Sequence, residues 1–221
     1  MKKKGLKIYL FRHGQTDYNR DGRFTGSHEA KLTTLGKKHA LKIAQQLKDK
    51  KFQVAVHTHL SRSKDTLKPV LKNHPECKII LEDDRMIERG YGILEGTTHE
   101  QFIEKIGNQE YELLVHGDAI EDLEQKQRER IEDFLGEQEY NVIHRGWKVK
   151  VPEGESFADV EKRVRSFLKD LKKFMKKNKV NVVISAHGNS IRLFRKIMEK
   201  ESIENTAKWF IPYDKVFTYE I

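Results

Sequence analysis

Two short stretches of this sequence end on the same dipeptide. Ile8-Tyr9-Leu10-Phe11-Arg12-His13-Gly14 and Val182-Val183-Ile184-Ser185-Ala186-His187-Gly188 each run from apolar residues into His-Gly and then into polar residues. Imidazole changes charge near neutral pH and serves as a nucleophile or proton carrier. A glycine directly after each histidine lets the backbone approach a ligand closely or turn with φ > 0. Helix N-termini opening after such turns favour an anion, through free N–H groups and the positive end of the helix dipole. Arg12 beside His13 adds a planar guanidinium that grips two phosphate oxygens at once. Thr58-His59-Leu60-Ser61-Arg62 brings another arginine after a third apolar run. A lone histidine at a strand end is more often structural than functional, but this pairing, with its arginines, points to a phosphate ligand.

These residues need a scaffold that brings together histidines 174 positions apart. Residues 6–11, 53–57 and 180–185 are short runs rich in β-branched or aromatic residues, and the first and last have the near-continuous apolar character of strands buried on both faces. Helical patterns lie between them. In residues 156–177, Phe157, Val160, Val164, Phe167, Leu168, Leu171, Phe174 and Met175 recur at spacings of three and four, and Ser156 with Asp159 can cap the start. Thr33 or Thr34 opens another helix with Ala40, Ile43, Ala44 and Leu47 on one face. Strands alternating with helices imply an α/β fold with a parallel sheet covered on both sides. In such a sheet the C-terminal strand ends share one edge, where ligands bind at a switch in strand order.

The chain has 221 residues, with 43 Lys plus Arg against 34 Asp plus Glu for a net charge of +9, and 37% of residues are hydrophobic. That is enough apolar material for a packed core, and a mostly disordered chain is excluded. No apolar run exceeds four residues (8–11), far short of the ~20 that a membrane helix needs. The basic start Met1-Lys2-Lys3-Lys4-Gly5 resembles the opening of a signal peptide, but Arg12 ends the following apolar stretch too early for one. The single Cys77 can form neither a disulfide framework nor a CxxC metal site, so a cytoplasmic location is expected. Residues 118–139 carry nine acids and three bases, a net of −6, which leaves +15 on the remaining 199. Such a run reads first as a solvated surface helix and second as a mobile cap over a site.

The ordered motifs carry a family resemblance. Leu10-Phe11-Arg12-His13-Gly14-Gln15-Thr16, Asn19, Phe24-Thr25-Gly26, Leu32-Thr33-Thr34-Leu35-Gly36, Ser61-Arg62, Glu88-Arg89-Gly90-Tyr91-Gly92, Gly154-Glu155-Ser156 and Ala186-His187-Gly188-Asn189-Ser190 together resemble the histidine phosphatase superfamily, and within it the cofactor-dependent phosphoglycerate mutases. The likeness covers roughly residues 6–110 and 151–221. It implies a single domain over 1–221, a three-layer α/β sandwich around a mostly parallel sheet, with a helical cap inserted at about 108–150. It also implies roles. His13 would attack phosphorus and form a phosphohistidine, while neutral. Arg12, Arg62 and His187 would hold the equatorial oxygens, and Glu88 would move the proton of the leaving group. Gln15, Asn19, Thr25, Gly26, Tyr91, Gly188 and Asn189 would contact the substrate. No metal is implied, because arginines neutralise the charge.

Phosphatases and mutases share this first half-reaction. The mutases resembled here hold the far end of a phosphoglycerate with a lysine and an arginine pair, where this sequence has His99, Val115 and His116. They also close the site with a polar tail, and this sequence stops at Ile221. A less cationic pocket favours water as acceptor, so the expected function is hydrolysis of a small phosphorylated metabolite with no cofactor. The alternative is interconversion of 2- and 3-phosphoglycerate with 2,3-bisphosphoglycerate as primer, with Arg128, Arg130 or Arg145 supplying the cations. A nucleic-acid-binding role, suggested by Lys2, Lys3, Lys4 and the lysines between 162 and 179, is disfavoured because those lysines alternate with Phe167, Leu171 and Phe174 as on any solvated amphipathic helix. His57-Thr58-His59 suggests a metallohydrolase, but HExxH is missing, as is the P-loop GxxxxGK[ST]. No membrane partner is expected, and the sequence carries no signature of oligomeric state.

Overall fold

The computed structural model describes residues 5–117 and 119–221, so the lysines at 2–4 and Asp118 lie outside the described residues. Its sheet orders five strands β3-β2-β4-β1-β5: β1 (Lys7–Arg12), β2 (Val54–His57), β3 (Ile79–Glu82), β4 (Val182–Ala186) and β5 (Val216–Glu220). The first four run parallel and β5 runs antiparallel to β1. The fold is therefore α/β with a mostly parallel sheet.

β1 has no polar alternation because both its faces are covered. Ile8 and Leu10 join one buried cluster with Val160, Val164, Phe167 and Leu168 of α6 (Phe157–Asn178), and α7 (Gly188–Glu199) adds Ile191, Leu193 and Phe194. Tyr9 and Phe11 point the other way, into a cluster with Ile43, Ala44 and Leu47 of α2 (Thr34–Leu47) and Leu67 and Val70 of α3 (Ser61–Lys72). This gives three layers. Thr33 caps α2 through the Gly36 N–H, and Ser156 and Asp159 form a reciprocal capping box on α6, as the sequence predicts. The lysines Lys162, Lys169, Lys173, Lys176 and Lys177 are exposed on the outer face of α6.

Between β3 and α6 the chain leaves the sandwich. α4 (His99–His116) and α5 (Gln125–Arg145) pack as a hairpin over a small aromatic cluster of Phe24, Tyr91 and Phe102, flanked by Tyr140 and Ile143. The hairpin begins at His99, earlier than the acidic run by itself suggests. That run lies on the loop before α5 and on α5, where Gly136 is buried and most acids are exposed. The short helices α1 (Asp17–Arg20) and α8 (Ile203–Lys208) complete the fold. No helix among the described residues is long and apolar enough to cross a membrane.

Candidate active site

The two His-Gly dipeptides meet because β1 and β4 are neighbours in register, with Arg12 opposite Ala186. The His13 N–H donates to the Ala186 carbonyl at 3.0 Å, and the His13 and His187 rings lie 4.9 Å apart between centroids. Neither glycine has a positive φ. Close approach is what requires them: a Cβ on Gly14 would lie 2.2 Å from the Gly36 carbonyl oxygen, and one on Gly188 would lie 3.3 Å from both the Arg12 guanidinium carbon and Glu88 Oε2.

His13 is 2% exposed and His187 fully buried. Burial first, then Arg62, holds the imidazole of each well below its ordinary value, so both are neutral at pH 7. His13 Nδ1 lies 2.8 Å from the Gly14 carbonyl, which can only accept. The proton is therefore on Nδ1 and the lone pair on Nε2. In His187 the assignment is the reverse: Arg62 Nε–H donates to Nδ1 at 3.3 Å, so the Nε2 proton is directed to Thr58 Oγ1 at 2.8 Å.

Arg62 is 1% exposed, and its remaining nitrogens donate to the carbonyls of His28 and Gly26 at 2.6 and 2.8 Å. Burial brings its guanidinium down to about 10, still charged at neutral pH. Arg12 donates to the Ile211 carbonyl at 3.0 Å, and its guanidinium carbon stacks 4.0 Å from the centroid of the Tyr213 ring. Glu88 Oε1 accepts from the backbone N–H groups of Arg89 and Asn189 at 2.8 and 3.0 Å, and Oε2, like the Arg12 guanidinium, lies against Gly188. Arg163 fixes the segment behind Glu88 by donating to the carbonyls of Arg85, Ile87 and Glu88.

Above these groups is a cavity of about 240 Å³. Arg12, Glu88, Asn19, Thr25, Gly26, Tyr91, Gly188 and Asn189 line it, while the buried His13, His187 and Arg62 adjoin Arg12 and Gly188 at its floor without being among its walls. Asn189 Nδ2 donates to the Tyr91 hydroxyl at 3.1 Å, which fixes both. Gln15 is the exception among the residues expected to contact the substrate: its Oε1 accepts from the Thr33 hydroxyl at 2.9 Å, and it is not a wall of the cavity.

The expectation of a less cationic pocket is corrected by the tertiary structure. Arg23, Arg145 and Arg192 line the cavity with Arg12, and Glu88 is its only lining carboxylate among the described residues. Arg145, one of the three cations considered from the sequence, reaches the site from the end of α5. Arg128 does not, being engaged with Glu112 and Glu132 within the hairpin. Val115 and His116 lie at the far end of α4, whereas His99 lines the cavity from its start. Arg192 was not anticipated. Its signal is the spacing from Gly188, one helical turn earlier on the same face of α7. The His57-Thr58-His59 pair also diverges: His57 Nδ1 binds the Thr58 carbonyl, and His59 binds Asp84. No group of three or more His, Cys, Asp or Glu able to hold a metal occurs among the described residues.

The profile of the histidine phosphatase superfamily (branch 1) matches residues 8–135 and 118–220. A 2,3-bisphosphoglycerate-dependent phosphoglycerate mutase of Pseudoalteromonas atlantica is 28% identical over 204 residues, covering 91% of this chain and 88% of its own. The crystal structure of the alpha-ribazole phosphatase from Shigella flexneri is similar with a TM-score of 0.71 at 20% identity, covering 98% of this chain and 91% of that one. The phosphoglycerate mutase from Bacillus anthracis has a TM-score of 0.67 at 21% identity, over 98% and 89%. With a profile spanning nearly the whole sequence, and the paired His-Gly strand ends side by side in the fold, the chain belongs to the histidine phosphatase superfamily.

Proposed function

We propose that the chain hydrolyses a small phosphomonoester through a phosphohistidine on His13. The observation that carries this reading is the state of His13, which is neutral beside the Arg62 and Arg12 charges, with its proton held on Nδ1 by the Gly14 carbonyl and its lone pair on Nε2. Nε2 attacks phosphorus, the phosphorus–oxygen ester bond breaks, and the leaving oxygen takes a proton from Glu88. Water then attacks the phosphohistidine and gives its proton to Glu88, and inorganic phosphate leaves. Arg12 and Arg62 hold the equatorial oxygens with the N–H groups that their protein partners leave free, and His187, whose Nδ1 accepts from Arg62 and whose Nε2 proton goes to Thr58, positions Arg62; because these groups are already fixed they need little reorganisation as charge develops. The hairpin serves as a cap, with His99 and the end of α5 over the floor. A cytoplasmic location is supported by the lone Cys77, which is buried with its thiol pushed up to about 11.

A second reading is favoured by one specific observation, the presence in the cavity of Arg192 together with Arg145, one of the cations that the sequence offers for this alternative. A pocket with those charges can retain a phosphoglycerate until it receives the phosphoryl group back. In that case 2,3-bisphosphoglycerate would supply the first phosphoryl group to His13, and Arg12, Arg145 and Arg192 are the residues that would hold it. Purified protein given 3-phosphoglycerate, with and without 2,3-bisphosphoglycerate, separates the readings. Phosphate release faster than formation of 2-phosphoglycerate is the expected result, and the opposite order overturns hydrolysis as the main activity.

A further inference from the structure

We propose that Tyr213 is a positioning residue for the guanidinium of Arg12, and that a stripe of α2 formed by His39, Lys42 and Gln46 holds the segment that carries it. This rests on the reading of Arg12 as a ligand of the reacting phosphate. The two arginines of the floor are tethered very differently. Arg62 is 1% exposed and directs all three of its guanidinium nitrogens to protein acceptors, His187 Nδ1 and the carbonyls of His28 and Gly26. Arg12 is half-buried, and among the described residues it has one hydrogen bond, from Nη1 to the Ile211 carbonyl, and no ion pair. One bond leaves the guanidinium free to swing about it, whereas recognition of phosphate through a planar fork needs a fixed plane. The second restraint is the Tyr213 ring, whose centroid lies 4.0 Å from the guanidinium carbon. A cation over an aromatic face is held by the ring quadrupole as well as by contact, so the ring and not the hydroxyl supplies the restraint.

Ile211 and Tyr213 belong to one segment, between α8 and β5, so the placement of Arg12 depends on what fixes that segment. α2 fixes it through three residues. The His39 ring lies within 2° of parallel to Tyr213, at 5.4 Å between centroids, and Lys42 Nζ is 3.2 Å from Asp214 Oδ2. Gln46 donates from Nε2 to the Asp214 carbonyl at 2.7 Å and accepts the Val216 N–H at 3.3 Å. Positions 39, 42 and 46 are spaced by three and four, so they form a single stripe along the helix, beside the buried one of Ala40, Ile43, Ala44 and Leu47. At the start of the segment, Arg192 donates to the Trp209 carbonyl at 2.7 Å. Burial holds the half-buried His39 below its ordinary value, with Asp214 acting the other way and Lys42 with burial, so at neutral pH it meets Tyr213 as an uncharged ring and does not compete with Arg12 for it. Tyr213 also lies 6.4 Å from His13 between ring centroids, which places the restraint beside the nucleophile.

A mutant cycle read with p-nitrophenyl phosphate tests the role. Tyr213→Leu should lower kcat/KM by about tenfold, the scale of a desolvated cation–ring contact. Tyr213→Phe keeps the ring and should stay within about twofold of the unaltered protein. Arg12→Gln takes away the group that the ring positions, so on that background Tyr213→Leu should cost less than about twofold, whereas a ring that only props up the segment costs the same on both. If urea unfolding shows that Tyr213→Leu does not fold, Gln46→Ala, which releases the segment from α2, takes its place in the cycle with the same expectation and the same overturning results. Equal losses on the two backgrounds, Tyr213→Phe as impaired as Tyr213→Leu, or no loss from Tyr213→Leu overturns the positioning role. An Arg12→Gln protein as active as the unaltered one refutes Arg12 as a phosphate ligand and the positioning role with it. The phosphohistidine reading fails separately, if His13→Ala retains turnover.

Discussion

At the floor of the cavity, His13 and His187 follow adjacent parallel strands paired residue for residue, whereas at its roof His144 and Arg145 end a helix that belongs to no layer of the sandwich. The floor side chains are anchored largely to backbone: His13 to Gly14, Arg62 to Gly26 and His28, Glu88 to the N–H groups of Arg89 and Asn189. The roof is held by the aromatic cluster around Phe24 and by Arg89, fully buried, which donates to the carbonyls of Ile143, Val149 and Glu155. On the proposed reading, the chemistry falls where backbone pairing defines position most tightly, and recognition of the rest of the substrate falls where a few side chains set the geometry.

The largest effect expected from breaking the floor is that of His13→Ala, which removes the nucleophile. Turnover should fall by roughly 10³-fold or more, with loss of the acid-labile phosphoenzyme, and a retained phosphoenzyme would place the nucleophile elsewhere. Glu88→Gln tests proton transfer. It should cost about 10²- to 10⁴-fold with an alkyl phosphate and much less with p-nitrophenyl phosphate, whose leaving group needs no proton, and equal losses would remove Glu88 from that role.

At the roof, Arg89→Met leaves three part-buried carbonyls without their donor. A loss of about 2–4 kcal/mol in denaturant unfolding is expected, from the penalty on unsatisfied buried groups. Faster amide exchange should appear in α5 before β1, and uniform loosening would contradict the separation of the two regions.

Taken one histidine at a time, the smallest effect concerns pH and both regions at once. His13, His187 and His144 are depressed below 6.5 in the folded chain, and unfolding returns them to about 6.5. Below that pH the unfolded state binds more protons, so stability rises with pH there. Their contribution is complete above about pH 7 and is lost as the pH falls through 6.5 toward the folded values. Each histidine contributes a slope of at most about 1.4 kcal/mol per pH unit, which unfolding curves between pH 7.5 and 5 would measure.

Much of the fold is legible in the sequence where local rules and tertiary packing agree. The three- and four-residue spacing of apolar positions in α6, its Ser156–Asp159 cap, and the unbroken apolar run of β1 all coincide with what is buried. β3 was not legible, because an edge strand with Ile79, Ile80 and Leu81 all exposed has no buried face to imprint a pattern. Nor was the antiparallel β5, whose Val216 and Phe217 read equally well as a loop against the core. Of the candidate site, the floor was legible because each histidine carries its own strand and glycine, and the roof was not.

From the sequence alone came the residues proposed to form and break a phosphorus–nitrogen bond, since their types and immediate neighbours are a local property. Only the tertiary structure decided that the pocket beyond them is rich in guanidinium. Arg145 and Arg192 lie on helices far apart in the chain, and only the packing of the hairpin on the aromatic cluster around Phe24 brings both to one cavity. Charge density at a point depends on distances in space, which no spacing along the chain encodes.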